Sequence, residues 1–116
     1  MSKRLVVKTK NFITGSIDID LLKKTLNELN IKYTAVDSDA ILIDGYRAYG
    51  VDFIIHANGE AEYDDTIEHK CQALLKNIRQ TYSIEYMKQK ANELGYSVLE
   101  TKNENNGNVR ITLGEF

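Results

Sequence analysis

The sequence predicts an α+β fold, an antiparallel or mixed sheet of about five to seven short strands with three helices in the order β-α-β-β-β-β-αα-β-β. Three observations point there. Apolar residues between Asp65 and Gly95 recur at spacings of three and four, the signature of buried helical faces. Short segments rich in Val, Ile, Thr and Tyr are punctuated by Gly, Asn and Asp, as strands and turns are. Gaps of hairpin length between those segments outnumber the long crossovers that parallel strands need. With 116 residues, of which 42% are hydrophobic, the chain has material for one core, and residues 1–116 read as a single domain.

The first strand is expected at Arg4 to Thr9, followed by a loop from Asn11 to Ser16 in which Gly15 turns the chain. Asp18 is the expected N-cap of a helix whose Ile19, Leu22, Leu26 and Leu29 step by three, four and three, and Asn30 ends it. Four short strands follow at Ile31 to Val36, Ala40 to Asp44, Val51 to Ala57 and Glu60 to Tyr63. Asp37-Ser38-Asp39 supplies one turn, and Asn58-Gly59 reads as a two-residue hairpin because both residues accept positive φ. Val51, Phe53 and Ile55 alternate with Asp52, Ile54 and His56, so one face of that strand is the more apolar and is expected to meet the helices.

The long helical stretch divides into two stripes. Ile67, Cys71, Leu74, Leu75, Ile78 and Tyr82 form the first, and Ile84, Met87, Ala91 and Leu94 form the second. Projected at about 100° per residue, the two point in roughly opposite directions, which predicts a break at Tyr82–Ser83 with Ser83 capping a new helix and Gly95 ending it. The second stripe then needs a further apolar surface, either the same sheet or a partner subunit. Tyr96 to Thr101 and Val109 to Leu113 close the chain as a hairpin turned at Asn106-Gly107.

Fifteen basic residues stand against 17 acidic ones, so no whole-chain field draws this protein onto nucleic acid or an anionic membrane. A single cysteine forms no internal disulfide, and no apolar run has the length of a signal core or a membrane span, which together lead us to expect a cytoplasmic protein.

Several short motifs, taken in order, resemble a known family. They are Lys8-Thr9-Lys10, Asp18-Ile19-Asp20-Leu21-Leu22-Lys23-Lys24, Gly45-Tyr46-Arg47, Gln80-Thr81-Tyr82 running into Lys88-Gln89-Lys90-Ala91, Gly95-Tyr96, and Gly107-Asn108-Val109-Arg110-Ile111. Together they resemble the chloroplast reading-frame family thirty-five of plastids, cyanobacteria, other bacteria and some phages, and the resemblance spans most of the chain. Members of that family carry a tryptophan-containing segment before the long helix and an aromatic end. Phe116 keeps the aromatic end, whereas this chain has no tryptophan and its Glu60 to Asp65 segment is shortened. The family has no established activity, so the resemblance implies a fold and assigns no site residue.

Among residues with chemistry, Cys71 lies on an apolar stripe, where cysteine behaves as a small hydrophobe, and His69 lies on a different helical face. His56, His69 and the acids around Glu60 to Glu68 lack the spacing of a metal site, and they read as a solvated hairpin and helix start. No cofactor fingerprint is present, and no metal or cofactor is expected.

Two groups stand out. Gly45 to Gly50 reads as a loop whose glycines bracket Tyr46, Arg47 and Tyr49, a planar cation with stacking rings suited to a phosphate, carboxylate or nucleobase. The plainer alternative pairs Arg47 with Asp44 or Asp52. Arg79, Tyr82 and Tyr86, spaced by three and four, share one face if the helix continues through Ser83, and with Met87 they form a candidate interface. The function expected from these residues is a non-catalytic binding or adaptor domain acting through protein contacts, with self-association as one form. The alternative is a small-ligand or nucleotide-binding protein that uses the Gly45–Gly50 loop. No nucleophile–base pair points to an enzyme.

Overall fold

The structure is a computed structural model that describes residues 7–11, 16–103 and 109–115. The expectations for Arg4 to Val6, Gly15, the Asn106-Gly107 turn and Phe116 lie outside the described residues. The fold is α+β. An antiparallel sheet is built from β1 (Val7–Asn11), β2 (Tyr33–Asp37), β3 (Ala40–Ala48), β4 (Val51–His56) and β5 (Glu60–Asp64) in the spatial order β1-β5-β4-β3-β2. A separate hairpin joins β6 (Tyr96–Asn103) to β7 (Val109–Glu115).

Two α-helices are present among the described residues, α1 (Ile19–Glu28) and α2 (Glu68–Glu93), the latter entered through a short 3-10 turn at Asp65–Ile67. This corrects the expectation of three helices and of a junction at Tyr82–Ser83. The chain between Tyr82 and Glu93 holds Glu, Met, Lys, Gln and Ala, all strong helix formers, and no Gly or Pro interrupts it. The conflict between the two stripes is resolved at the surface. Ala91, opposite Tyr82 on the helix, is buried, and α2 also contacts the β6–β7 hairpin, while Met87 and Leu94 stay 44% and 74% exposed.

Both ends of α1 close as the residues dictate. The Asp18 carboxylate accepts a hydrogen bond from the Leu21 N–H at 3.2 Å, an N-cap. At the other end Asn30 takes φ 57°, Ile31 N–H donates to Leu26 O at 2.9 Å and Asn30 N–H to Asn27 O at 3.1 Å, which is a Schellman motif. Gly95, at φ 84°, ends α2 in the same left-handed conformation.

α1 connects one edge strand of the sheet to the other and, with α2, covers a single face. Leu22 and Leu26 of α1, Ile41, Ile43, Phe53, Ile55, Ala61 and Tyr63 of the sheet, and Cys71, Leu75, Ile78 and Tyr82 of α2 form one core. Phe53 and Ile55 point inward and Ile54 and His56 do not, the alternation expected of β4. On the outer face His56 Nε2 lies 2.9 Å from Glu62 Oε1.

Two turns differ from expectation. Three residues join β4 to β5, and of these only Gly59 has positive φ, at 92°, with its N–H donating to His56 O. The segment Gly45 to Gly50 is not an open loop, because β3 continues to Ala48 and only Tyr49 and Gly50, both at positive φ, make the turn to Val51. Gly45, at φ 85°, sits where the β3–β4 register shifts, a bulge that side chains other than glycine resist.

Candidate functional site

The bulge at Gly45 decides where the first candidate group points. Before it, Ile41 and Ile43 face the core. After it the alternation is shifted by one, so Tyr46 turns inward and its ring meets Phe53 edge-on at 5.6 Å between centroids. Arg47 therefore faces outward and its Nε lies 3.7 Å from Asp52 Oδ1, the plainer pairing anticipated from sequence. Tyr49 stands at the turn and is well exposed. The three side chains do not converge: one packs on the core, one is paired on the outer face, and one projects from the tip.

The second group is brought together by the unbroken α2. Tyr82 is 4% exposed, so it belongs to the core and offers no contact area of its own. Its hydroxyl accepts a hydrogen bond from the Asp18 N–H at 3.0 Å, which ties α2 to the start of α1. Burial raises the Tyr82 hydroxyl above its ordinary pKa, with the bond from Asp18 acting in the opposite direction. Tyr86, one turn on, stacks against Tyr82 with centroids 6.2 Å apart and planes at 18°, and Lys90 Nζ lies over the Tyr86 ring, 5.6 Å from its centroid. Tyr86 is 41% exposed yet held in place by these neighbours, and Arg79 and Met87 are exposed beside it.

This face of α2 carries an aromatic ring, a methionine, an arginine and, at its end, Leu94. Such residues are enriched in contact surfaces, and a ring already fixed by stacking loses little freedom when a partner covers it. Leu94 belongs with Met87 to the second stripe singled out from sequence, whereas Lys90 and Glu93 were not singled out. The signal that finds Glu93 is the seven-residue step from Arg79 through Tyr86, and Lys90 follows Tyr86 by four, spacings that have meaning only on one continuous helix.

An open groove of about 500 Å³ runs between α1 and the second half of α2, lined by Asp20, Lys24, Glu85, Lys88 and Gln89 among others. Three of its charged side chains are linked by ion pairs. The Glu85 side chain, 13% exposed, sits 3.3 Å from Lys24 Nζ and 3.8 Å from Lys88 Nζ.

Cys71 is fully buried and burial pushes its thiol up to about 11, the reverse of what a nucleophile needs. His69 is exposed, and His56 is engaged by Glu62 on the far side of the sheet. Among the described residues no three His, Cys, Asp or Glu side chains gather as metal ligands, and no helix is long and apolar enough to cross a membrane. Comparison with protein-family models, with curated proteins and with solved structures finds no match to this chain. Function is therefore read from the chain's own geometry.

Proposed function

We propose that this protein is a non-catalytic binding domain that acts through protein contacts made by the exposed face of α2. The observation that carries this reading is the grouping of Arg79, Tyr86 and Met87 on one solvent-facing side of a continuous helix, with Tyr86 braced from behind by Tyr82. A helix face of this composition recognises a protein by burying its aromatic and methionine side chains at the centre of the contact while its charges set the orientation. The buried, protonated Cys71 and the scattered histidines support a role without covalent chemistry. An anion or nucleotide at Arg47 would have to compete with Asp52 and would find Tyr46 turned inward, so the α2 face is the stronger candidate.

Site-specific photo-crosslinking in living cells tests this. A photo-crosslinking amino acid in place of Met87 is expected to give protein adducts that Tyr86→Ala reduces several-fold, whereas the same group in place of Thr34, exposed on the outer face of the sheet, gives none. Equal adducts from the two positions, or none from position 87, overturn the reading.

A further inference from the structure

We infer that the partner of this face is a second copy of the same chain, with the two α2 helices packed antiparallel about a two-fold axis at Tyr86. This rests on the protein-contact reading above and names its partner. In an antiparallel pair related by a two-fold axis, a residue a given number of positions before the axis meets the residue the same number after it. Each flank of one helix also faces the same flank of the other. Arg79 and Glu93 stand seven positions before and after Tyr86, so all three fall along one edge of α2. The axis thus sets Arg79 of each copy against Glu93 of the other, closing both ends of the contact with opposite charges. Tyr86 meets its own symmetry mate at the centre, with Met87 beside it.

The described contacts leave these groups available. Arg79 is exposed and, among the described residues, makes no ion pair. Glu93 meets only Lys90 of its own chain, at 3.4 Å between two half-exposed side chains, a pairing that contributes little and is readily exchanged. Of the groove residues, Glu85 and Lys88 lie away from this edge and are paired within the groove, whereas Gln89, three positions after Tyr86 and four before Glu93, borders both the groove and the contact. Parallel packing would set Arg79 against Arg79 and Glu93 against Glu93, so the charge order of this edge selects the antiparallel arrangement. The contact spans about four turns of helix and rests on one central aromatic pair with ion pairs at its ends, so the dimer is expected to dissociate in the micromolar range.

Sedimentation equilibrium across micromolar to millimolar concentrations, with circular dichroism to confirm folding, tests the arrangement. The wild type is expected to show a reversible monomer–dimer equilibrium. Arg79→Glu and Glu93→Arg, each replacing two attractive pairs with repulsive ones, are each expected to weaken it about tenfold. An equimolar mixture of the two variants is expected to recover the wild-type strength, because the mixed pair again sets Glu against Arg at both ends. A wild type that remains monomeric throughout overturns the second copy as partner while leaving the crosslinking result at position 87 to judge the protein-contact reading on its own. A dimer that neither swap weakens, or that the mixture fails to restore, overturns this arrangement of the helices.

Discussion

Cys71 and Tyr82 show how much a single side chain's setting decides. Burial holds the Cys71 thiol protonated in the folded chain, up to about 11, while in the unfolded chain it ionises near the ordinary 9.0. The folded pKa is the higher one, so this contribution is fully present below pH 9 and is lost as pH rises towards 11. The shift corresponds to on the order of 3 kcal/mol. Urea unfolding at pH 8 and pH 11 is expected to show a larger loss of stability in the wild type than in Cys71→Ala, and an equal loss in both would contradict the assignment. Tyr63 and Tyr82, whose hydroxyls burial also raises from 10.0, add a decline that begins above pH 10 and is common to both proteins. The buried state of Cys71 was legible from its place on an apolar stripe. The role of Tyr82 was not, because its hydroxyl bonds to the backbone of Asp18, 64 positions away, and no local pattern announces such a pair.

At the level of elements, the caps were the most readable features. Asp18, Asn30 and Gly95 each end a helix by a mechanism that depends on one residue and its immediate neighbours. The break expected at Tyr82–Ser83 failed because an apolar stripe reports a tendency to be buried and says nothing about whether a surface exists to bury it. Here α2 runs on, Ala91 is buried, and Met87 and Leu94 remain in solvent. The bulge at Gly45 was illegible for a related reason. Gly45 was read as one end of a loop, whereas it lies within β3 where the pairing passes from Ile43–Phe53 to Ala48–Val51, an odd register shift that changes which side chains face inward. With Ser83 inside the helix, Ser83→Pro removes an internal hydrogen bond and introduces a clash, and is expected to cost about 3 kcal/mol or more. Chemical denaturation should show Ser83→Pro and Leu75→Pro both severely destabilised, and a nearly wild-type Ser83→Pro would restore the case for a junction.

Across the whole molecule, the principal extents of 64 × 31 × 25 Å describe an elongated body, and its radius of gyration of 15.9 Å exceeds the roughly 13 Å of a compact domain of similar length. The α+β class was legible because it follows from local periodicity. The spatial order of the strands was not, because it depends on which edge receives β1. In the sheet, β2 pairs with β3, β3 with β4, and β4 with β5, each with its neighbour in the chain, whereas β1 reaches across to β5 with Val7 opposite Asp64. That topology orders assembly in time. Closing a loop roughly twenty times longer than a hairpin turn costs about 2.7 kcal/mol more in chain entropy, so the consecutive hairpins are expected to form first. Pulsed hydrogen exchange during refolding should then find the amides of Val7–Asn11 protected after those of β3 and β4, and simultaneous protection would argue against this sequence of events. Until β1 arrives, β5 is an unpaired edge. For that interval of refolding, the strand leading into α2 is open to pairing with another chain.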